Sequence, residues 1–477
     1  MSIYTLIPHN AHDLNVDGMH MLMHVPTTSL FEMDEVSSSV LNLFKENNRL
    51  STGTVLERLG DKFDENELSE CFTGFASLNI LQKNDMPAQT AAVVPVEDVN
   101  LSTIILNVNT GCNLSCTYCY KEDLATPANG QKMDFATARS SVDLLLKQAR
   151  DRDQVNIVFF GGEPLSNMRL IREVVDYATP AAAHQGMSVD YSLTTNATML
   201  NEEIADWLAR HKVAVTVSMD GPKALHDKSR LTVGGKGTYD VVAAKVRMLL
   251  SRYRVRPVGA RVTLTEGVTD VIAIHDHLIN DLGFAEVGFG PVTSGPLSSF
   301  NLSGDSLAKV FSDMKRLGER YVDAAVKGVN IGFSNMHQLL SDIAAGTRKV
   351  VPCGAGLGML AVDKEGDLHL CHRFVGSDQP TYGSVDEGID VEKLSSFVET
   401  TQDRSHFGCA TCRIRSLCAG GCYHESYVRT QDPHAPVYHY CDLLRDWVDF
   451  GVRSYTRIIH ENPGYIEKHI SSRRKTS

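Results

Sequence analysis

The chain has 477 residues, 43% of them hydrophobic and 22% charged, with a formal net charge of −12. That length exceeds what one hydrophobic core serves, so two or three domains are expected, and the acidic balance argues against nucleic acid as the main partner. No apolar run approaches the roughly 20 residues of a membrane span and no basic-then-apolar signal segment opens the chain, so no membrane partner is expected and the expected location is cytoplasmic.

Residues 1–84 are the first expected unit. Met19, Met21, Met23 and Val25 alternate with His20, Leu22 and His24 as in a half-buried strand, and a second short strand covers 30–33. Helical spacing follows at Val36, Val40, Leu41 and Phe44, at Val55, Leu56 and Leu59, and at Leu68, Cys71, Phe72, Phe75 and Leu78, which puts Cys71 in the core. Two strands before three short helices make a winged-helix-like unit that can pair an extended peptide along an open strand edge. The same pattern suits DNA, but Asp34, Glu35, Asp61, Asp64, Glu65, Glu67 and Glu70 oppose a phosphate-facing surface. Residues 85–100, with Met86-Pro87-Ala88 and Val94-Pro95-Val96, read as a linker.

Within 101–295, six apolar strand candidates (103–109, 155–162, 189–196, 213–221, 258–265 and 286–292) alternate with helical segments. This is the α/β pattern of a parallel sheet, as a partial barrel or an open doubly wound sheet, in which ligands gather at the carboxyl ends of the strands. The first strand runs into Cys112-x3-Cys116-x2-Cys119. Three soft ligands with no fourth point to an iron-sulfur cluster with one open iron, whereas a zinc ribbon assembles two CxxC pairs and a redox pair needs one. After the second strand, Gly161-Gly162-Glu163-Pro164 offers backbone that a ligand can approach and a carboxylate for a charged amine. The third strand ends in Leu193-Thr194-Thr195-Asn196, suited to sugar hydroxyls, and the fourth in Ser218-Met219-Asp220-Gly221. Arg230 follows in a polar loop, where it could face solvent or pair with a carboxylate.

Residues 296–350 read as a helical bridge with Leu307, Val310, Phe311 and Met314 on one face. Seven thiols fall within 351–445: Cys353, Cys371, Cys409, Cys412, Cys418, Cys422 and Cys441. They are too many for one four-ligand site, although Cys409, Cys412, Cys418 and Cys422 could in isolation hold zinc. His369 and His372 read as surface histidines. Residues 446–477 finish the chain as an amphipathic helix, with Trp447, Val448 and Phe450, and a basic tail, Arg473-Arg474-Lys475.

These motifs resemble the radical S-adenosylmethionine (SAM) superfamily over roughly residues 100–295, and residues 351–445 resemble its SPASM extension. The resemblance implies a partial (β/α)6 barrel in which Cys112, Cys116 and Cys119 hold a 4Fe-4S cluster and the open iron takes the amino and carboxylate groups of SAM. It places Tyr118 near adenine, Gly161, Gly162 and Glu163 at the methionine moiety, Thr195, Asn196 and Asp220 near the ribose, and Arg230 at the methionine carboxylate. An electron delivered through the cluster would cleave a carbon-sulfur bond of SAM, giving a radical that abstracts an unactivated hydrogen with water kept away. It further implies two auxiliary 4Fe-4S clusters, one on Cys409, Cys412, Cys418 and Cys441 and one on Cys353, Cys371 and Cys422. The second set lacks a cysteine in Gly354-Ala355-Gly356-Leu357-Gly358 to complete it.

The N-terminal unit resembles PqqD-like peptide recognition elements. The three modules together resemble peptide-modifying radical SAM enzymes, most of all the maturation proteins of quinohemoprotein amine dehydrogenase. This implies a peptide or small-subunit substrate, with or without a leader sequence, an electron donor such as flavodoxin or ferredoxin, and thioether crosslinks from Cys sulfur to Asp or Glu methylene carbon. Sactipeptide-type crosslinking at alpha carbons and formylglycine formation in sulfatases are rival reactions. The rival of another class is a zinc-binding winged-helix regulator. No residue is singled out as catalytic base.

Overall fold

The computed structural model describes residues 2–84, 96, 98–120, 130–296, 298–402, 407–437 and 439–471. Most of the expected linker and the basic tail lie outside them. Strands β1 (Ile3–Leu6), β2 (Ala11–Val16), β3 (Met19–His24) and β4 (Ser29–Glu32) precede helix α1 (Glu35–Asn47). Then β5 (Arg49–Ser51), α2 (Thr52–Leu59), α3 (Glu65–Ser77) and β6 (Leu81–Lys83) complete the first unit. β2, β3 and β4 form one antiparallel sheet in that order, and β1 lies between β5 and β6 in another. The Asp34 side chain accepts from the Ser37 N–H at the start of α1, and Asp64 makes a capping box with Glu67 on α3. Each such cap contributes about 1 kcal/mol, so part of the acidic character serves helix starts.

The β3 strand, expected to be half-buried, is buried on both faces. Leu22 joins Val40, Leu41, Phe44 and Phe72 in the N-terminal core, while Met21 and Met23 pack with Leu14 and Val16 into the core of the main body. The β2-β3-β4 sheet therefore sits between two cores, which removes the solvated face that alternation had implied. Cys71 packs against the N-terminal core, as its stripe position predicts.

The main body begins with β7 (Thr103–Asn109), α4 (Phe135–Gln148), β8 (Gln154–Gly161), α5 (Met168–His184), β9 (Ser188–Thr195) and α6 (Glu202–Arg210). It continues with β10 (Ala214–Ser218), α7 (Lys223–Ser229), α8 (Tyr239–Arg252), β11 (Gly259–Leu264), α9 (Val271–Asp276) and β12 (Glu286–Pro291). The six strands are parallel and neighbour one another in sequence order. Val155, Ile157 and Phe159 of β8 enter the core beneath the helices, and Val158 and Phe160 face the opposite, concave side with Ile105. Helices α10 (Gly304–Val326) and α11 (Ser334–Ala344) form the bridge.

The cysteine-rich region then continues the same sheet. β13 (Met359–Val362) pairs parallel with β7, and β14 (Leu368–His369) pairs antiparallel with β13. Strands β15 (Gly383–Ser384) and β16 (Gly388–Ile389) form a small hairpin before α12 (Val391–Gln402), α13 (Arg415–Cys418), α14 (Tyr423–Thr430) and α15 (Cys441–Glu461). α15 packs on α10 and α11 and against β2, joining the C-terminal region to the first unit. The molecule is thus an α/β fold with a mostly parallel sheet and a cysteine-rich C-terminal region.

Candidate active site

The loop after β7 is held from three directions. The Gly162 N–H donates to the Asn109 carbonyl at 2.7 Å and the Glu163 N–H to the Gly111 carbonyl at 3.1 Å. From the other side, the Ser115 and Thr117 N–H groups donate to the Leu231 and Ser229 carbonyls at 2.9 and 3.0 Å. Asn196, just past β9, donates to Asn113 Oδ1 at 3.0 Å and approaches Cys112 Sγ at 3.6 Å. The glycine pair has a role other than ligand approach: a Cβ on Gly162 would come within 3.0 Å of the Gly111 carbonyl and the Cys112 nitrogen, and one on Gly161 would overlap the Asn109 carbonyl oxygen. These glycines let the β8 terminus seat the cysteine loop.

Cys112, Cys116 and Cys119 are close enough to perturb one another. Burial and their mutual charge raise the Cys112 pKa and push Cys116 up to about 12, with Arg230 working in the opposite direction on Cys116. Thiols this crowded become thiolates together only against concentrated positive charge, which a bound iron-sulfur cluster provides. The donor chemistry fits the cluster.

Glu163 is 1% exposed. Its Oε1 accepts from Thr195 Oγ1 at 2.7 Å and the Leu165 N–H at 3.0 Å, and its Oε2 from the Asn196 N–H at 2.8 Å. Burial raises its pKa while those three donors pull it back.

Asp220, also 1% exposed, accepts from Tyr118 Oη at 2.6 Å, Arg230 Nε at 2.8 Å, Arg230 Nη2 at 3.1 Å and the Thr263 N–H of β11 at 2.9 Å. The Arg230 guanidinium lies 5.4 Å from the Tyr118 ring centroid. Burial opposes the charge on Arg230, but Asp220 more than offsets this and its pKa is raised. Arg230 is therefore buried and paired within the chain, not solvent-facing, because Asp220 reaches it from the end of β10. Both Asp220 oxygens serve to fix Arg230 and Tyr118 behind Cys116.

The seven C-terminal thiols fall into two groups. Cys409, Cys412, Cys418 and Cys441 line one cavity with Arg415 and Arg445. Cys353 and Cys371 form the other group with Cys422: burial and then the charge of Cys422 raise the Cys353 pKa, and burial with Cys422 and Cys353 raises that of Cys371. Among the described residues, no three His, Cys, Asp or Glu side chains gather tightly enough for a single metal ion.

Of the histidines flanking Cys371, His369 is buried and His372 half-buried. His369 is 4% exposed and pairs with Asp363 at 3.0 Å, and the His372 ring lies tilted against Phe160 at 3.9 Å between ring centroids. Tyr120, His424 and Arg373 gather beside it, a layer between the two cysteine regions that spacing did not reveal. The one available signal is Tyr120 itself, the second aromatic flanking Cys119.

Residues 106–278 match the Radical SAM superfamily. This stretch is a radical SAM domain. An uncharacterized protein of Methanocaldococcus jannaschii is 36% identical over 163 residues, 34% of this chain and 52% of that protein, so the chain spans about half that relative's length. The cysteine-type anaerobic sulfatase-maturating enzyme of Clostridium perfringens strain 13 is 24% identical over 376 residues, 76% of this chain and 98% of the enzyme. The solved structure of native anSMEcpe with bound AdoMet and Cp18Cys peptide shares the fold, with a TM-score of 0.64 at 22% identity over 76% of this chain and 98% of that one. A radical SAM domain at the centre of the chain leaves the zinc-binding regulator without support.

Proposed function

We propose that the chain is a radical SAM enzyme that modifies a peptide or small protein subunit, forming thioether crosslinks between Cys sulfur and an Asp or Glu methylene carbon, as in maturation of the quinohemoprotein amine dehydrogenase small subunit. The observation that carries this choice is a shortage of thiols. Of eleven cysteines, Cys71 packs in the N-terminal core, three lie in the β7 loop and four line the α13–α15 cavity. Only Cys353, Cys371 and Cys422 remain for the other group, so its fourth place is open to an Asp, a His or water from within or to a substrate thiolate, and this reading assigns it to the thiolate. A substrate thiolate is a ligand of the right softness.

Bound at these thiols, the clusters and SAM would supply a carbon radical that takes a hydrogen atom and a sink for one electron. The peptide correspondingly gives up a hydrogen atom from the methylene and a proton from the thiol as the carbon-sulfur bond forms. Glu163 and Asn196 are assigned to SAM, with Thr195 orienting the Glu163 carboxylate and the Asp220, Arg230 and Tyr118 group bracing the cysteine loop. The outer strand β4, where Phe31 is 39% exposed, is assigned to an extended peptide by strand addition. Electrons would come from a flavodoxin or ferredoxin.

Oxidation of a sulfatase Cys or Ser to formylglycine is the second reading, favoured by likeness to the sulfatase-maturating enzyme over nearly all of that enzyme's length. Sactipeptide-type crosslinking at alpha carbons differs only in the carbon attacked. Anaerobic incubation with reductant, SAM and candidate peptides, followed by mass spectrometry, separates these products. A thioether product is lighter by two hydrogens per crosslink, keeps its sulfur and loses an alkylatable thiol; a Cys-derived formylglycine loses its sulfur and gains a carbonyl. Fragmentation locates the bonded carbon. A peptide of unchanged mass excludes all three.

A further inference from the structure

One wall of the four-thiol cavity is held by the N-terminal unit. Five residues separate Cys412 from Cys418: Arg413, Ile414, Arg415, Ser416 and Leu417. The two apolar ones are buried in the main core. The three polar ones are tied, directly or through one carboxylate, to the start of the chain. Arg415 spreads its fork over two acceptors of the turn Pro8–Asn10, donating from Nη1 to the His9 carbonyl at 2.5 Å and from Nη2 to Asn10 Oδ1 at 2.6 Å. The Ser416 hydroxyl donates to the Pro26 carbonyl at 3.4 Å. Arg413 pairs with one oxygen of Asp449 on α15 at 3.0 Å, and the other oxygen of that carboxylate takes His12 of β2 at 2.8 Å.

Arg415 faces the thiols as well. It lines their cavity, and the same Nη1 that reaches His9 lies 3.4 Å from the Cys412 carbonyl oxygen. On the other side, Asn10 is 5% exposed, its Nδ2 donates to the Asn79 carbonyl just past α3 at 2.8 Å, and its own carbonyl accepts the Val25 N–H at 2.9 Å. Asn10 is thus where hydrogen bonds within the N-terminal unit meet those that leave it. Thiolates that share one inorganic core must sit at set mutual positions, and ordering the chain between them costs free energy on binding unless it is ordered beforehand. The contacts of Arg413, Arg415 and Ser416 order that chain in advance.

We propose that the N-terminal unit is a structural part of the four-thiol site. Arg415 is a positioning residue: by holding it, the docked Pro8–Asn10 turn sets the shape of the Cys412–Cys418 segment, so that iron retention at Cys409, Cys412, Cys418 and Cys441 and docking of the N-terminal unit stabilise each other. This rests on reading those four thiols as cluster ligands, and it makes the unit assigned to the peptide answerable to the cluster. Such coupling is reciprocal: a peptide that prefers the docked unit tightens the iron site by the same factor.

The test uses full-length protein reconstituted anaerobically with iron and sulfide. Cys441→Ala removes one thiol of the set without altering the Cys412–Cys418 segment, and the iron it fails to retain defines the pool to be followed. Release of that pool to a colorimetric iron chelator is then timed in two variants of Asn10. Asn10→Ala deletes the acceptor for Arg415 and is expected to release the pool about tenfold faster. Asn10→Asp loses the bond to Asn79 just as the Ala variant does but keeps an oxygen for Arg415, and is expected to release iron at the wild-type rate or more slowly. In the reverse direction, hydrogen exchange read by mass spectrometry should quicken about tenfold over residues 11–16 and at Val25 in Cys441→Ala, with α1 and α2 unchanged. Wild-type release from Asn10→Ala, equal acceleration in the Ala and Asp variants, or unchanged exchange in an iron-depleted Cys441→Ala overturns the coupling and leaves the cluster ligands standing. Full iron in Cys441→Ala sinks the ligand reading and the proposal with it. Where Asn10→Ala does not fold, His12→Ala takes its place: loss of the hold on Asp449 should speed release, and a wild-type rate overturns the proposal. No readout depends on product formation, so these outcomes stand apart from the reaction assigned above.

Discussion

Gly162 gives the sharpest test of how the barrel seats its cysteine loop. Its backbone is not in the left-handed region, so Gly162→Ala introduces no conformational strain and only a methyl group. That methyl would lie within 3.0 Å of the Gly111 carbonyl carbon and oxygen and of the Cys112 nitrogen, all backbone atoms that no rotamer change can move. To reach even a tight contact the Gly111–Cys112 segment must retreat by about 1 Å, which breaks or stretches the Glu163 N–H to Gly111 hydrogen bond. Overpacking of this kind costs about 1–3 kcal/mol, and a displacement of about 1 Å at a reacting centre costs on the order of 100-fold in rate. The expected result is a folded protein, slightly less stable, that retains less iron at the β7 loop and cleaves SAM about 100-fold more slowly. Iron per chain, absorption near roughly 400 nm and deoxyadenosine release measure these together. A Gly162→Ala protein with full iron and wild-type SAM cleavage would refute the claim that the glycine pair exists for the loop.

Asp220→Asn leaves Arg230 charged, buried and short of its counterion, with side-chain exposures of 7% for Arg230 and 1% for Asp220; a loss of about 3–5 kcal/mol in denaturant unfolding is expected. The double variant with Arg230→Gln should recover part of it, and a single-variant loss below about 1 kcal/mol would contradict a buried pair. His226 is buried and neutral, donating or accepting at Thr238 at 3.0 Å, and burial followed by Arg230, against the opposing pull of Asp220 and Asp227, lowers its pKa to about 4. A depressed histidine contributes stability that is present above its unfolded value of about 6.5 and lost as pH falls toward 4, up to roughly 3 kcal/mol. His226→Gln should flatten the melting temperature over that interval, and an unchanged acid slope would remove His226 as its source. Cys71→Ala should leave iron content untouched and cost about 1 kcal/mol, whereas Cys371→Ala should lower it; equal iron in both would dissolve the distinction between core and ligand thiols.

Much of the barrel was legible because parallel strands buried on both faces are continuous apolar runs. The 103–109 run became β7 without a shift of boundary, and the five others moved by only a few residues. The β7 loop and the end residues of β8, β9 and β10 were found because each is a departure from apolarity at a strand terminus. What failed to show was everything set by distant packing. β2 is broken by His12, Asp13 and Asn15, and β13 and β14 are too short for periodicity. Arg230 in a polar loop gives no sign that Asp220 waits for it, and His369 gives none of Asp363.

The placement of the N-terminal unit bears on how a substrate is handled. It is tied to the cysteine-rich region by many contacts: Arg415 donates to the His9 carbonyl at 2.5 Å and to Asn10 Oδ1 at 2.6 Å, the Thr28 hydroxyl to the Thr347 carbonyl at 2.9 Å, and Asp449 of α15 holds both His12 and Arg413. Arg415 also lines the four-thiol cavity. With Met21 and Met23 inside the main core, the first unit cannot swing freely about a linker without exposing apolar surface at about 25 cal/mol per Å². A peptide added along β4 would therefore meet a fixed frame: its docking strand is held at a set distance from the barrel, and only the chain between docking strand and reacting residue remains adjustable. Under the proposed function, selection of the modified position would then follow from spacing in the peptide, measured from that strand to the concave face.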